Sequence, residues 1–183
     1  MTAAVGLDLS LTSTGVALAS GQTRTIRTSI PANATATQRA QRLDNILRRL
    51  EPMLRHGQPV VAMLEGYAGF QQGNTAARLG ELHGPVMVRC VQLGMAVYEV
   101  APSTLKKYAT GDGRADKLAM VAAAQSLGYR PVNDDEADAA LLRHMAVHYA
   151  QLKAKDFEQE ATPSEWAAYQ FDVLLGLAPG WPA

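Results

Sequence analysis

Residues 5–20, VGLDLSLTSTGVALAS, set a carboxylate, Asp8, in the middle of an apolar strand, with Ser10, Thr12, Ser13, Thr14 and Gly15 leading into a second apolar strand. An acid flanked by Val5, Leu7 and Leu9 loses hydration when the chain folds, so a cation has to compensate it. That need points to a metal ion or to chemistry on phosphate. Gly15 and the hydroxyls supply tight-turn geometry and hydrogen-bond donors, which suits a hairpin whose base approaches a phosphate oxygen.

Two unrelated chemistries use such an element. One is two-metal nuclease catalysis on a ribonuclease H-like sheet, and the other is ATP binding in the actin and sugar-kinase fold. An ordinary hairpin with an exposed Asp satisfies this segment equally well, so acids elsewhere in the chain have to decide.

At 183 residues, 48% of them hydrophobic, the chain is sized for one domain with a substantial core and is too short for two enzyme domains. Seventeen basic and seventeen acidic residues give zero formal charge. No global basic field advertises a nucleic-acid partner, and any such binding has to be local. The single Cys90 lies in an apolar helical stretch. It excludes an intramolecular disulfide and a cysteine zinc site, reads as a buried structural thiol, and fits a reducing, cytoplasmic setting. The amino-terminal residues lack a basic region, and no stretch reaches about 18 uninterrupted apolar residues, so neither export nor a membrane span is expected.

Strand, turn and strand are predicted from Ala4 to Ser20, and Thr23 to Ile30 alternates as a third, antiparallel strand would. Thr35 or Thr37 caps a helix in which Leu43, Ile46, Leu47, Leu50 and Leu54 fall at helical spacing, ending near Gly57. Its arginines, Arg39, Arg42, Arg48, Arg49 and Arg55, read as a solvated face. Val60 to Leu64 is continuously apolar, as in a strand buried on both faces, with Glu65 at its end. A helix from about Asn74 to Gly94, a strand from Ala96 to Pro102, a short basic, glycine-bearing segment, a helix from about Ala115 to Leu127 and a last core helix from near Asn133 complete the domain. This order predicts an α/β architecture, a sheet flanked by helices. Residues 1–154 are expected to form the domain, and residues 155–183 a tail with a short amphipathic helix carrying Trp166, Gln170, Val173, Leu174 and Leu177.

Asp135 and Asp138, in NDDEADAALL, are three apart at the start of the last helix and share a face, whereas Asp134 and Glu136 point elsewhere. Acids at a helix start are also what the macrodipole favours, so the cluster by itself decides nothing. The order carries more: an acid on the first strand, an acid ending a buried strand, and a pair on the last helix. If the first and fourth strands are neighbours, Asp8 and Glu65 meet and the last helix crosses nearby. Converging carboxylates repel unless divalent cations neutralise them, and hard oxygen ligands suit Mg²⁺ or Mn²⁺. Two such ions about 4 Å apart can activate a water and stabilise the leaving oxygen of a phosphodiester.

GLDLSLTSTG, LEGYAGFQQGNTAARLGELHGPV, APSTLKKYATGDGRADK and NDDEADAALL, in this order, resemble the RuvC family of Holliday junction resolvases, in particular their small phage-borne relatives, over roughly Ala4 to Tyr149. The resemblance implies a ribonuclease H-like fold with a mixed five-stranded sheet, a homodimer, and metal-dependent symmetric nicking of a four-way DNA junction with two Mg²⁺ or Mn²⁺ ions per active site. The family's acidic tetrad falls on Asp8, Glu65, Asp135 and Asp138, as catalytic and metal-binding residues. Lys117 stands where the family has a lysine near the scissile phosphate, and a cation there offsets charge building on the phosphorane; the alternative is a solvated helix-start lysine. Lys106, Lys107 and Arg114 would track DNA phosphates. Tyr67 and Phe70 follow Glu65, and the resemblance makes one of them, with Phe70 preferred, an aromatic that stacks at the junction centre. The helix with Leu79, Leu82, Val86 and Val88 would form the dimer interface, although the same stripe also serves as core against the sheet. His144 and His148 have a metal-ligand spacing but no further nearby ligand in sequence, and His56 and His83 read as structural or exposed.

Two features depart from the family pattern. The tail beyond about Ala150 has no counterpart in compact bacterial resolvases, and the loop after Glu65 is short, so branched-DNA endonuclease is the broader expectation. The rivals are an ATP-binding actin or sugar-kinase module, which needs a duplicated domain that 183 residues do not hold, and a non-catalytic junction-binding protein, whose mark would be a lost acid.

Overall fold

The computed structural model of the protein describes residues 3–66 and 74–160. Ten elements follow in order: β1 (Ala4–Asp8), β2 (Ser13–Ala17), β3 (Thr23–Arg27), α1 (Ala36–Arg55), β4 (Val61–Glu65), α2 (Asn74–Gln92), β5 (Ala96–Val100), α3 (Pro102–Thr110), α4 (Lys117–Ser126) and α5 (Asp134–Glu160). The strands form one mixed sheet in the order β3-β2-β1-β4-β5, as expected. β1, β2 and β3 pair antiparallel, while β4 and β5 run parallel to β1.

Alternation along the strands sorts side chains to two cores. On one face Val5, Leu7, Val16, Ala62 and Leu64 pack with Ile46, Leu50 and Leu54 of α1 and with Leu82, Val86 and Cys90 of α2. On the other, Ala4, Val61, Met63 and Val100 pack with α3, α4 and α5 through Leu105, Met120, Ala137, Leu141 and Met145. Parallel β1 and β4, covered on both faces, account for the unbroken apolar runs. Thr35 caps α1 in a capping box with Gln38.

The arginines of α1 are more than a solvated face. Arg42 Nε donates to Thr28 Oγ1 at 3.1 Å, Arg49 to Arg27 O at 2.9 Å, and Arg39 lies 3.9 Å from Glu81, so three of them bind the helix to the sheet edge and to α2. The basic, glycine-bearing segment after β5 is also a helix, α3. Pro102 pre-sets its first turn, and Gly111 ends it at φ +82°, its N–H donating to Lys107 O at 2.9 Å.

Helix α5 lies directly on the sheet because two glycines let it. A Cβ on Gly6 would sit 2.0 Å from Ala139 O and 2.4 Å from Arg143 N, and one on Gly15 would sit 2.0 Å from Asp135 O. Gly15 is therefore not a turn residue: it is inside β2, opposite Asp8, and its missing side chain is the space α5 occupies. Glu136, buried, locks the contact by accepting from Thr23 Oγ1 at 2.7 Å, Thr25 Oγ1 at 2.8 Å and Val132 N at 3.2 Å.

α5 continues past residue 154 to Glu160, and the tail helix expected around Trp166 lies outside the described residues. Among the described residues no helix is long and apolar enough to cross a membrane.

Candidate active site

Register brings the first two acids together. β1 pairs parallel with β4 so that Leu7 lies opposite Leu64, which sets Asp8, the last residue of β1, level with Glu65, the last of β4. Asp8 thus stands at the strand end rather than mid-strand. Ala4 and Gly6 face α5, as do Val61 and Met63, so period-two alternation turns Asp8 and Glu65 to the same side. The start of α5 crosses there, and the carboxylates of Asp135 and Asp138 raise the pKa of Asp8.

The electrostatics centre on Asp8, which feels the other three acids. Burial, then Glu65, Asp138, Asp135 and Asp134, holds the Asp8 carboxyl well above its ordinary range. Glu65 is pushed up to about 7 by burial and by Asp138, with Lys106 acting in the opposite direction. Asp138 is pushed up to about 6 by burial and by Asp134, again against Lys106. Desolvated acids that raise one another are short of positive charge.

The hydroxyls after Asp8 do not stand ready for a phosphate. Ser13 Oγ donates a short hydrogen bond to Asp135 Oδ2. Thr14, fully buried, donates to Ser10 O at 2.6 Å. They position the acids and the strand instead.

The cations divide. Lys117 pairs with Asp134, one of the acids expected to point elsewhere, and its Nζ is near enough to Asp135 and Asp138 to feel their charge. Lys106, half-buried on α3, acts on both Glu65 and Asp138 and so stands beside the acids. Lys107 and Arg114 are exposed. Tyr67 and Phe70 lie outside the described residues.

Several residues are structural. Cys90 is buried and its thiol is pushed up to about 12. His83 is buried with Nδ1 3.6 Å from Glu99 Oε1. His148 Nδ1 lies 3.2 Å from the Tyr108 hydroxyl, and His144 lies between the Tyr108 and Tyr129 rings.

The donor set suits a divalent cation. Asp138 Oδ1 is buried and has no hydrogen-bond partner among the described residues, an orphan that a hard cation satisfies. Among the described residues no three His, Cys, Asp or Glu side chains are arranged so that they could hold a metal ion together as they stand. Asp135, held by Ser13, is the acid with a competing partner.

A parallel-antiparallel sheet in this order, with acids at the ends of its two central strands and on the helix across them, defines a ribonuclease H-like nuclease architecture. Comparison with known proteins specifies the family. Residues 4–147 match the sequence model of crossover junction endodeoxyribonuclease RuvC. The enzyme of that name from Anaeromyxobacter sp. (strain K) is 38% identical over 141 residues, covering 76% of this chain and 74% of the relative. Its counterpart from Halorhodospira halophila is 35% identical over 119 residues, covering 63% and 71%. Among solved structures, T. thermophilus RuvC in complex with Holliday junction substrate superposes with a TM-score of 0.66 at 22% identity, covering 82% of this chain and 95% of that one. A second Thermus thermophilus RuvC structure gives 0.61, also at 22% identity, covering 82% and 96%.

The chain belongs to the RuvC family of crossover junction endodeoxyribonucleases, metal-dependent nucleases that resolve Holliday junctions. Membership sets aside the ATP-binding reading.

Proposed function

We propose that this protein nicks four-way or otherwise branched DNA by phosphodiester hydrolysis, with Asp8, Glu65, Asp135 and Asp138 holding two Mg²⁺ or Mn²⁺ ions, and that it works as a homodimer in the cytoplasm of a bacterial or phage-infected cell. The observation that carries the reading is the level placement of Asp8 and Glu65 beneath the start of α5, where Asp138 keeps an unpartnered buried oxygen. Bound ions supply an activated water and neutralise the leaving oxygen.

The chain's own residues provide the frame for that chemistry. Asp8 and Glu65 are fixed by strand register, and Asp138 by the seat of α5 on Gly6 and Gly15. Lys117, released from Asp134 by a nearby phosphate, would lend its charge to the pentacoordinate phosphorus, and Lys106, which acts on Glu65 and Asp138, would add a second positive charge beside the acids. Lys107 and Arg114 contact backbone phosphates, and one of Tyr67 and Phe70, by preference Phe70, stacks on bases at the branch point. All four acids are present, which favours cleavage over a purely binding role.

The test is metal-dependent nicking of a synthetic four-way junction by the full chain. Asp8→Asn and Glu65→Gln are expected to abolish nicking while junction binding in EDTA survives, because these acids place metal rather than hold the fold. Full activity in either variant rejects the site.

A further inference from the structure

A second charged site is built on arginines. The β2–β3 turn, the α4–α5 connection and α5 border an open cleft with a volume of about 760 Å³. Three arginines line it, Arg24, Arg130 and Arg143. None of the three is in an ion pair among the described residues. The carboxylate in the cleft, Glu136, already accepts hydrogen bonds from Thr23, Thr25 and Val132 N, so the lining carries an excess of two positive charges.

Arg143 is built into the wall. It donates to Ala19 O at 2.6 Å and to the Tyr129 hydroxyl at 2.9 Å, with its guanidinium carbon 6.0 Å from the Tyr129 ring centroid. Its Nε is buried and has no hydrogen-bond partner among the described residues. Arg24 is held at the turn through Thr23 O at 2.8 Å and Gln22 Oε1 at 3.1 Å, and Arg130 is exposed. In a chain of zero net charge, three like charges around one cavity repel unless an anion joins them. Guanidinium forks match the oxygens of a phosphate. The cleft also carries exposed apolar surface, Leu127 at 43% and Val132 at 81% exposure, on which a sugar or a base can lie. Its volume falls in the range of nucleotide-sized ligand pockets.

We propose that this cleft binds a nucleoside phosphate, with the phosphate on Arg24, Arg130 and Arg143 and the nucleoside against Leu127 and Val132. The ligand is either a free nucleotide or a nucleotide within a DNA strand. Arg143 stands apart from the acids: eight steps along α5 from Asp135 to Arg143 correspond to about 12 Å along the helix axis. The site depends on the arginines and not on the nuclease reading. Residue 136 nevertheless adjoins Asp135, so a ligand here would sit against the segment that seats an acid of the active site.

Amide NMR spectra of the full chain, titrated separately with dTMP and with an unbranched oligothymidylate strand, test the proposal. At least one probe is expected to shift the amides of Gly21 and Gly128, which line the cleft. Response to dTMP identifies free nucleotide as sufficient, and response to the strand alone identifies a nucleotide in DNA; both support the site. Arg24→Ala with Arg130→Ala, at residues that are exposed, should weaken that binding by at least about tenfold while the melting temperature is kept, as loss of charge-assisted contacts requires. Unchanged affinity in this double variant overturns the proposal, as does a pair of silent titrations. Shifts caused by oligoglutamate but by neither nucleotide probe overturn it too, in favour of an acidic peptide. Asp8→Asn separates the two readings: it should abolish nicking and leave the cleft titration untouched.

Discussion

Asp135 takes its position from a residue with no side chain. Gly15 lies across from Asp8 in β2, and a methyl group there would fall 2.0 Å from Asp135 O, so Gly15→Ala forces α5 away from the sheet where two proposed ligands begin. A displacement near 1 Å costs on the order of a hundredfold in rate for positioned groups. Gly15→Ala should therefore lose about that much nicking activity, at a stability cost of about 1–3 kcal/mol from overpacking; a nicking assay beside a thermal melt separates the two. Protonation is the second residue-scale consequence. Glu65 at about 7 and Asp138 at about 6 lie above their ordinary values, as does Asp8, so without metal these three groups hold more protons in the folded state than in the unfolded one, while His83 and His144, lowered by burial, hold fewer. The stability these groups contribute is full below the ordinary carboxylate range and is lost as pH rises through 6 to 7. Asp8→Asn, which removes one of the crowded acids and leaves the histidines alone, should therefore raise the melting temperature in EDTA more near pH 7.5 than near pH 5.5. Mg²⁺ should likewise raise that of the unsubstituted protein at the higher pH. A shift from Asp8→Asn that is equal at both pH values would contradict the coupling.

At the scale of elements, α3 divides two adjacent lysines between two tasks. Lys106 is half-buried and acts on Glu65 and Asp138, whereas Lys107 is exposed. Lys106→Ala should slow nicking by about tenfold to a hundredfold with a smaller effect on binding, the pattern of lost electrostatic stabilisation. Lys107→Ala should instead weaken DNA binding and lower the salt-dependence slope by about one. Equal effects in both assays for both variants would remove the distinction. This division was hidden in the sequence because Pro102 and Gly111, the signals that start and stop α3, read more readily as a glycine-bearing loop. The strands and the acids on them were legible, since unbroken apolar runs and period-two alternation depend only on which faces are covered. The register that levels Asp8 with Glu65 followed once β1 and β4 were neighbours. What the sequence concealed were the long-range pairings: Glu136 on Thr23 and Thr25, Ser13 on Asp135, and Gly6 and Gly15 beneath α5. Each joins segments more than a hundred residues apart, and no local pattern encodes such a partner.

The whole molecule presents opposite faces with different chemistry. The α5 side carries the acids and the cations around them, while α1 and α2 cover the other side. On α2 the inward stripe of Leu82, Val86 and Cys90 is spent on the core, which leaves Gly84, Val88 and Val91 on the outer side. Residues 84, 88 and 91 repeat at helical spacing, and the two valines are 56% and 58% exposed. The helix expected to serve either as core or as interface thus serves as core on one side and keeps an exposed apolar stripe on the other, which we propose as the contact with a second copy. Symmetric nicking of two strands needs two active sites related by a two-fold axis, and a narrow stripe that begins at a glycine allows a helix of a second copy to approach closely there. Val88→Asp with Val91→Asp places two charges on each side of such a contact without touching either core. The double variant should keep its circular dichroism and thermal melt but run as a monomer in light scattering. Because each monomer retains its own acids, it should still nick one strand while losing coordinated cleavage of the pair. A folded double variant that remains dimeric would place the interface elsewhere on the molecule.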